Sequence, residues 1–341
     1  MADKKRVLWL DLLKILACFL VIVNHTHRML FSFAGESPST VLFDSLLFSI
    51  CKGAVPLFVM TSGYFLLPRE NTYQSVLKRA FYIAVPLVLV SVYHYITTLG
   101  ASGNIRNFIG LFLKNPQSVE LWYLYMLLGL YMATPFLSKM IRHFSAKDYA
   151  VFIAFFLLLP SVVDFFELCS GYYISDFFFN AFFPGVLAYY IAGIFLTMIP
   201  RSKKILLAAV LLYAAAILAG TLSIYLPYRN SGELYYYIDS WYALPIVLSV
   251  LTSFYIIRYF FEGRTWKPRS EAMIRKVSEV TFGIYLSHCM VKDSIYASAP
   301  MQAIFSFNPY LGTLVQPLAC FLLCGMVIYF VRKLPILKKF L

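Results

Sequence analysis

Three residues of "LDLLKILACFLVIVNHTHRML", Leu10 to Leu30, carry chemistry inside an otherwise apolar run: Asp11, Lys14 and His25. On a helix of about 3.6 residues per turn, the step from Lys14 to His25 turns about 1100° and rises roughly 16 Å, so both side chains leave one face about three turns apart. Asp11 precedes Lys14 by one helical turn and is within pairing reach, whereas His27 is rotated about 200° from His25 and faces elsewhere. A charged side chain near mid-bilayer costs about 2.5–3.5 kcal/mol on insertion scales, so such groups mark substrate contacts or proton relays. Plainer readings stand beside that one. Asp11 and Lys14 fit a structural pair near one surface with the lysine snorkelling, and His25 fits a core or interfacial hydrogen-bonding histidine.

The elements that must hold these residues are membrane spans. The 341-residue chain is 61% hydrophobic, 18% aromatic and only 13% charged, about half the charge that a soluble domain needs for its surface. A span takes about 20 mostly apolar residues, and about ten runs qualify: 7–29, 46–67, 80–99, 122–141, 149–163, 182–199, 205–225, 240–261, 280–299 and 311–331. The expected fold class is an all-α polytopic integral membrane protein. It forms a single membrane-embedded domain over 1–341, because the longest connections, 100–121, 164–181 and 262–279, are too short for a second core.

The net charge of +13 would suggest nucleic acid in a soluble protein, but placement explains it otherwise. Of the 29 basic residues, 22 fall on one set of alternating connections and five on the other, the asymmetry that marks cytoplasmic loops. Both termini are therefore expected in the cytoplasm, with the lipid bilayer as partner and no nucleic acid. Lys4, Lys5 and Arg6 precede a first run without a small-residue cleavage site, which reads as an uncleaved span. The six cysteines show no disulfide or metal framework, so no metal is expected.

At this point the chain resembles the integral membrane acyltransferases of family 3. Their opening helix carries a basic residue, ten intervening residues and a histidine, met here by Lys14 and His25. "KGAVPLFVMTSGYFL" (Lys52 to Leu66), "LWYLYMLLGLYMATP" (Leu121 to Pro135), "VTFGIYLSH" (Val280 to His288) and the closing "VRKLPILKKFL" follow in the family's order. The chain departs in two places: Lys14 replaces the usual arginine and lacks its two-pronged contact, and of the paired arginines opening the third helix only Arg79 is present, with Tyr82 in the other position.

The resemblance implies transfer of an acyl group, commonly acetyl from acetyl-CoA or another acyl-CoA as co-substrate, to hydroxyls of cell-surface glycans, glycolipids or lipid-linked sugars. The enzyme would be an O-acetyltransferase of the bacterial cytoplasmic membrane. Imidazole, with an ordinary pKa near 6.5, suits the base such a reaction needs, and His25 takes that role. His288, counted from a helix start near 280, is expected about 12 Å above the inner surface, so that the two histidines serve different stages. Tyr285 and Ser62 are expected to donate to the acyl oxygen or relay a proton, although Ser62 beside Gly63 also fits helix packing. Lys14, Arg79 and Lys78 are expected to meet the donor's phosphates, with Asp11 holding Lys14 in place; plain positive-inside anchoring also explains Lys78 and Arg79. Lys52 is expected to bind substrate or to snorkel, and Trp122 to stack on a sugar or join, with Tyr123, Tyr235, Tyr236, Tyr237 and Trp241, an interfacial aromatic belt. A homo-oligomer is left open. The alternative to an enzyme is a multi-span transporter of a small polar or acylated substrate, with the same charges and histidines as its relay.

Overall fold

The computed structural model describes residues 7–26, 37–99, 104–171, 185–232 and 237–341. Lys4, Lys5, Arg6, His27, Arg28, Tyr235 and Tyr236 lie outside the described residues. The elements are α1 (Leu8–Thr26), α2 (Pro38–Cys51), α3 (Ala54–Leu66), α4 (Tyr73–Leu99), α5 (Ile105–Lys114), α6 (Trp122–Ile141), α7 (Ala146–Ile153) and α8 (Leu159–Ser170). A π-helical turn at Ala154–Leu158 joins the last two. There follow α9 (Val186–Met198), α10 (Lys203–Ser231), α11 (Leu244–Phe261), α12 (Pro268–Ala297), α13 (Ala299–Phe307) and α14 (Pro309–Val331). No strand occurs among the described residues.

Local sequence explains the helix ends. Ser37, Asn104, Ser202 and Asn308 each cap a helix by accepting from a main-chain N–H of its first turn, satisfying donors the helix itself leaves open. Ser145 and Asp148 form a reciprocal capping box at the start of α7. Gly171 and Gly232 close α8 and α10 with φ of 71° and 74°, a left-handed conformation that a side chain would disfavour.

Each of the ten apolar runs overlaps a helix among the described residues. Eight helical segments among the described residues are long and apolar enough to cross a membrane. The run at 182–199 appears as the shorter α9, and most of that at 280–299 lies in α12, which ends at Ala297. This last helix begins at Pro268 rather than near 280, because the charged stretch after Pro268 is itself helical. The second run is also longer than expected, spanning α2 and α3, with a two-residue break at Lys52 and Gly53.

In the interior, α1 packs on α2, α3, α11, α12 and α14. Helices α3 and α9 cross with main chains nearly touching: a Cβ on Gly63 would lie 1.7 Å from Tyr190 O, and one on Gly193 2.0 Å from Met60 O. In lipid such close packing replaces the hydrophobic drive between helices. Outward, Leu207, Leu211 and Leu218 on α10 and Leu322, Met326 and Phe330 on α14 are exposed, a surface suited to acyl chains. The chain is thus an all-α, multi-pass membrane protein.

Candidate functional site

The two ends of α1 carry different chemistry. At its C-terminal end, His25 lines a cavity of about 430 Å³ together with Asn24, Lys52, Trp122, Trp241 and Tyr285. The break between α2 and α3 turns Lys52 into this space, where its Nζ donates to Asp239 Oδ1 and lies 4.7 Å from the centre of the Phe48 ring. Because Asp239 is 58% exposed, the pair adds on the order of 1 kcal/mol or less to stability; its effect is to hold an ammonium at the mouth. The Trp122 and Trp241 rings lie against each other at a tilt of 32° with centroids 4.3 Å apart, so these two tryptophans wall the cavity as a pair. Asn24 Oδ1 is buried and has no hydrogen-bond partner among the described residues, and a buried acceptor in that state favours a ligand that can donate to it.

Below the cavity wall the histidines meet. The rings of His25 and His288 lie 5.1 Å apart, edge to face, which corrects the expectation that they lie at separate depths and do not touch. Its reason is the helix start. From Pro268, His288 is twenty residues and about 30 Å along α12, not eight residues from its beginning. His288 is wholly buried, with Nδ1 2.6 Å from Tyr285 O and Nε2 3.4 Å from Cys289 Sγ. The Tyr285 hydroxyl donates to Glu120 O, so that proton is already engaged by main chain, and its ring lies against Tyr123 at 5.3 Å.

Glu120 is a site residue that sequence reasoning missed. It lies in the turn before α6, is 0% exposed, accepts from the Ser118 hydroxyl and has Oε1 3.4 Å from His94 Nε2. Burial pushes its pKa up, but the His94 imidazole and the Ser118 hydroxyl outweigh that and hold the carboxyl down at about 2. The available signal was an acid abutting the Leu121–Pro135 signature. His94, inside the third span, was open to the same rule that singled out His25.

At the other end of α1, Asp11 and Lys14 form the expected pair, 3.9 Å apart. Asp11 Oδ1 also accepts from the Ser278 hydroxyl at 2.7 Å, tying α1 to α12, and Lys14 Nζ lies 4.8 Å from the centre of the Phe65 ring near the end of α3. Arg79 reaches the same helix end through Asn71: its Nη1 donates to Asn71 Oδ1 at 2.8 Å, and Asn71 Nδ2 donates to Leu66 O at 2.8 Å. Lys78 is exposed. Tyr82 packs on Phe340 of the closing segment, with centroids 5.5 Å apart. Ser62 is half-buried two turns along α3 from the cavity and hydrogen-bonds with Tyr123.

The structure therefore gathers His25, His288, Tyr285, Lys52 and Trp122 at one end, and Asp11, Lys14 and Arg79 at the other. Ser62 and Lys78 join neither group directly. No curated protein and no solved structure matches the chain. A family model described as an acyltransferase domain matches residues 7–334 and so contains both ends of α1 with the candidate site residues gathered there; the chain belongs to that family of acyltransferases.

Proposed function

We propose that this membrane acyltransferase is an O-acyltransferase of the bacterial cytoplasmic membrane. It moves an acyl group, acetyl in the first instance, from cytoplasmic acyl-CoA to a hydroxyl of a cell-surface glycan, glycolipid or lipid-linked sugar. The observation that carries this reading is the division along α1: an imidazole in the wall of a cavity with paired tryptophans at one end, and cations about 16 Å away by helical rise at the other. The excess of basic residues on one set of connections supports placing the cationic end toward the cytoplasm, where CoA is found.

In this reading Lys14 and Arg79 hold the phosphates of the donor, and the flexible arm of CoA brings its thioester toward His25. His25 takes the acceptor hydroxyl's proton as the oxygen attacks the thioester carbonyl. The tetrahedral intermediate collapses to ester and CoA thiolate, and the imidazolium returns the proton to the thiolate. Trp122 and Trp241 offer flat faces for a sugar, and Lys52 and Asn24 supply a donor and an acceptor for its hydroxyls. Tyr285, through Glu120 O, and the carboxylate of Glu120 position the histidine pair and favour the transient positive charge.

The test is to mix purified protein in detergent with acetyl-CoA and glycan acceptors. One free CoA thiol is expected per acetyl unit gained by the acceptor, measured by thiol titration and glycan mass. Glycans of unchanged mass and no thiol release across acceptor classes would overturn the reading.

A further inference from the structure

Where α1 meets α12, two imidazoles and a thiol converge. The ligating atoms of His25, His288 and Cys289 all lie within 4.8 Å of one another, and Cys289 Sγ stands 3.4 Å from His288 Nε2. A tetrahedral zinc ion, with Zn–S of about 2.3 Å and Zn–N of about 2.0–2.1 Å, holds sulfur and nitrogen about 3.6 Å apart. That pair is therefore already near ligand spacing.

The groups behind the ligands point the same way. A carbonyl only accepts, so the 2.6 Å contact between His288 Nδ1 and Tyr285 O puts the ring proton on Nδ1. The lone pair of Nε2 is left facing the thiol. This is the second-layer hydrogen bond that orients metal-bound histidines. Two neutral imidazoles and one thiolate leave a divalent ion with one uncompensated positive charge, which the buried carboxylate of Glu120 opposes; Glu120 acts electrostatically on both His25 and His288. The neighbouring cations Lys52 and Lys292 each sit against a carboxylate, Asp239 and Asp293. His25 lines the cavity, the side from which an ion would enter.

We propose that His25, His288 and Cys289 form a site for a borderline-soft divalent cation of the zinc class, and that the bound ion occupies the His25 lone pair and stops acyl transfer. The inhibitory half rests on His25 as the base; the site itself does not. Binding converts the Cys289 thiol to a thiolate and releases one proton to solvent.

The test uses the whole 341-residue chain in detergent, stripped with chelator and then titrated with cobalt(II) and zinc(II) chlorides. One cobalt per chain is expected, with a strong sulfur-to-metal charge-transfer band that zinc displaces. Zinc is expected to lower the rate of CoA release at least tenfold. Cys289→Ser is expected to lose the band and to weaken zinc inhibition by at least about 10–100-fold, the range that disturbing an outer-shell partner of a metal site already costs. Wild-type protein without the band overturns the site. A band accompanied by zinc-insensitive transfer, or transfer that chelation abolishes and zinc restores, overturns the inhibitory half. Activity of His25→Gln measured in chelator reports on the base separately, so the two ideas fail by different results.

Discussion

Replacing His25 by glutamine removes the basic nitrogen while keeping a polar side chain of similar size in the cavity wall. A positioned general base contributes about 10²–10⁴-fold to rate, equal to about 2.7–5.4 kcal/mol of barrier at 1.36 kcal/mol per tenfold. The Tyr285 hydroxyl offers a contrast built from the same site. It makes a neutral hydrogen bond to Glu120 O, worth about 0.5–1.5 kcal/mol net, so Tyr285→Phe is expected to cost no more than about tenfold even if the whole loss fell on the barrier. The assay is the initial rate of CoA thiol release at saturating acetyl-CoA, in chelator, on protein that elutes as wild type and unfolds within a few degrees of it. The expected order is wild type, Tyr285→Phe, then His25→Gln at least a hundredfold below wild type. A folded His25→Gln within threefold of wild type, or one no worse than Tyr285→Phe, would refute the assignment of the base.

Other outcomes follow from particular contacts. Lys14→Ala is expected to raise the KM for acyl-CoA about tenfold or more by removing a charge-assisted contact worth about 1.5–3 kcal/mol, whereas Lys14→Arg should hold or lower it; a donor KM unmoved in both would remove Lys14 from the donor site. Asn24→Leu and Lys52→Ala should each raise acceptor KM severalfold, and Lys52→Ala should change thermal stability little, since its ion pair is made with the exposed Asp239. Gly63→Ala and Gly193→Ala each drive a Cβ into main chain of the facing helix and are expected to cost at least 1–3 kcal/mol of stability, read as a lowered unfolding midpoint in detergent. For Glu120, the carboxyl at about 2 lies below its ordinary value of 4.5, so its stabilising effect is fully present above about pH 4.5 and lost as pH falls toward about 2. Wild-type protein should therefore lose stability faster than Glu120→Gln across that window; parallel pH profiles would show that the carboxylate has no such role.

Helical phase on α1 was legible because it depends only on local geometry. The Asp11–Lys14 pair stands one turn apart as spacing requires, and Lys14 and His25 lie at opposite ends of one helix. The depth of His288 was not legible, since the charged residues after Pro268 look like a connection by composition yet form the opening turns of α12, with Pro268 at its first position. Lys52 and Trp122 were legible as polar and aromatic residues near an outer boundary, but their partners Asp239 and Trp241, which follow from the break after Cys51 and the approach of α6 to the segment before α11, were not. Glu120 gave no periodic signal because it lies in a turn whose path is set by what it packs against.

Composition, run length and charge asymmetry thus determined by themselves an all-α multi-pass membrane protein, and ordered motifs determined its acyltransferase family. Each of these reflects solvent preference or residues close together along the chain. Tertiary structure alone decided that His25 and His288 meet, that Cys289 and Glu120 join them, and that Lys52, Trp122 and Trp241 share a cavity with His25. The contacts that build the site join different helices, His25 on α1 with His288 on α12 and Trp122 on α6 with Trp241 before α11, and their geometry depends on helix starts, breaks and crossing distances. A difference of twelve residues in where α12 begins was enough to bring two histidines from separate depths to the same site.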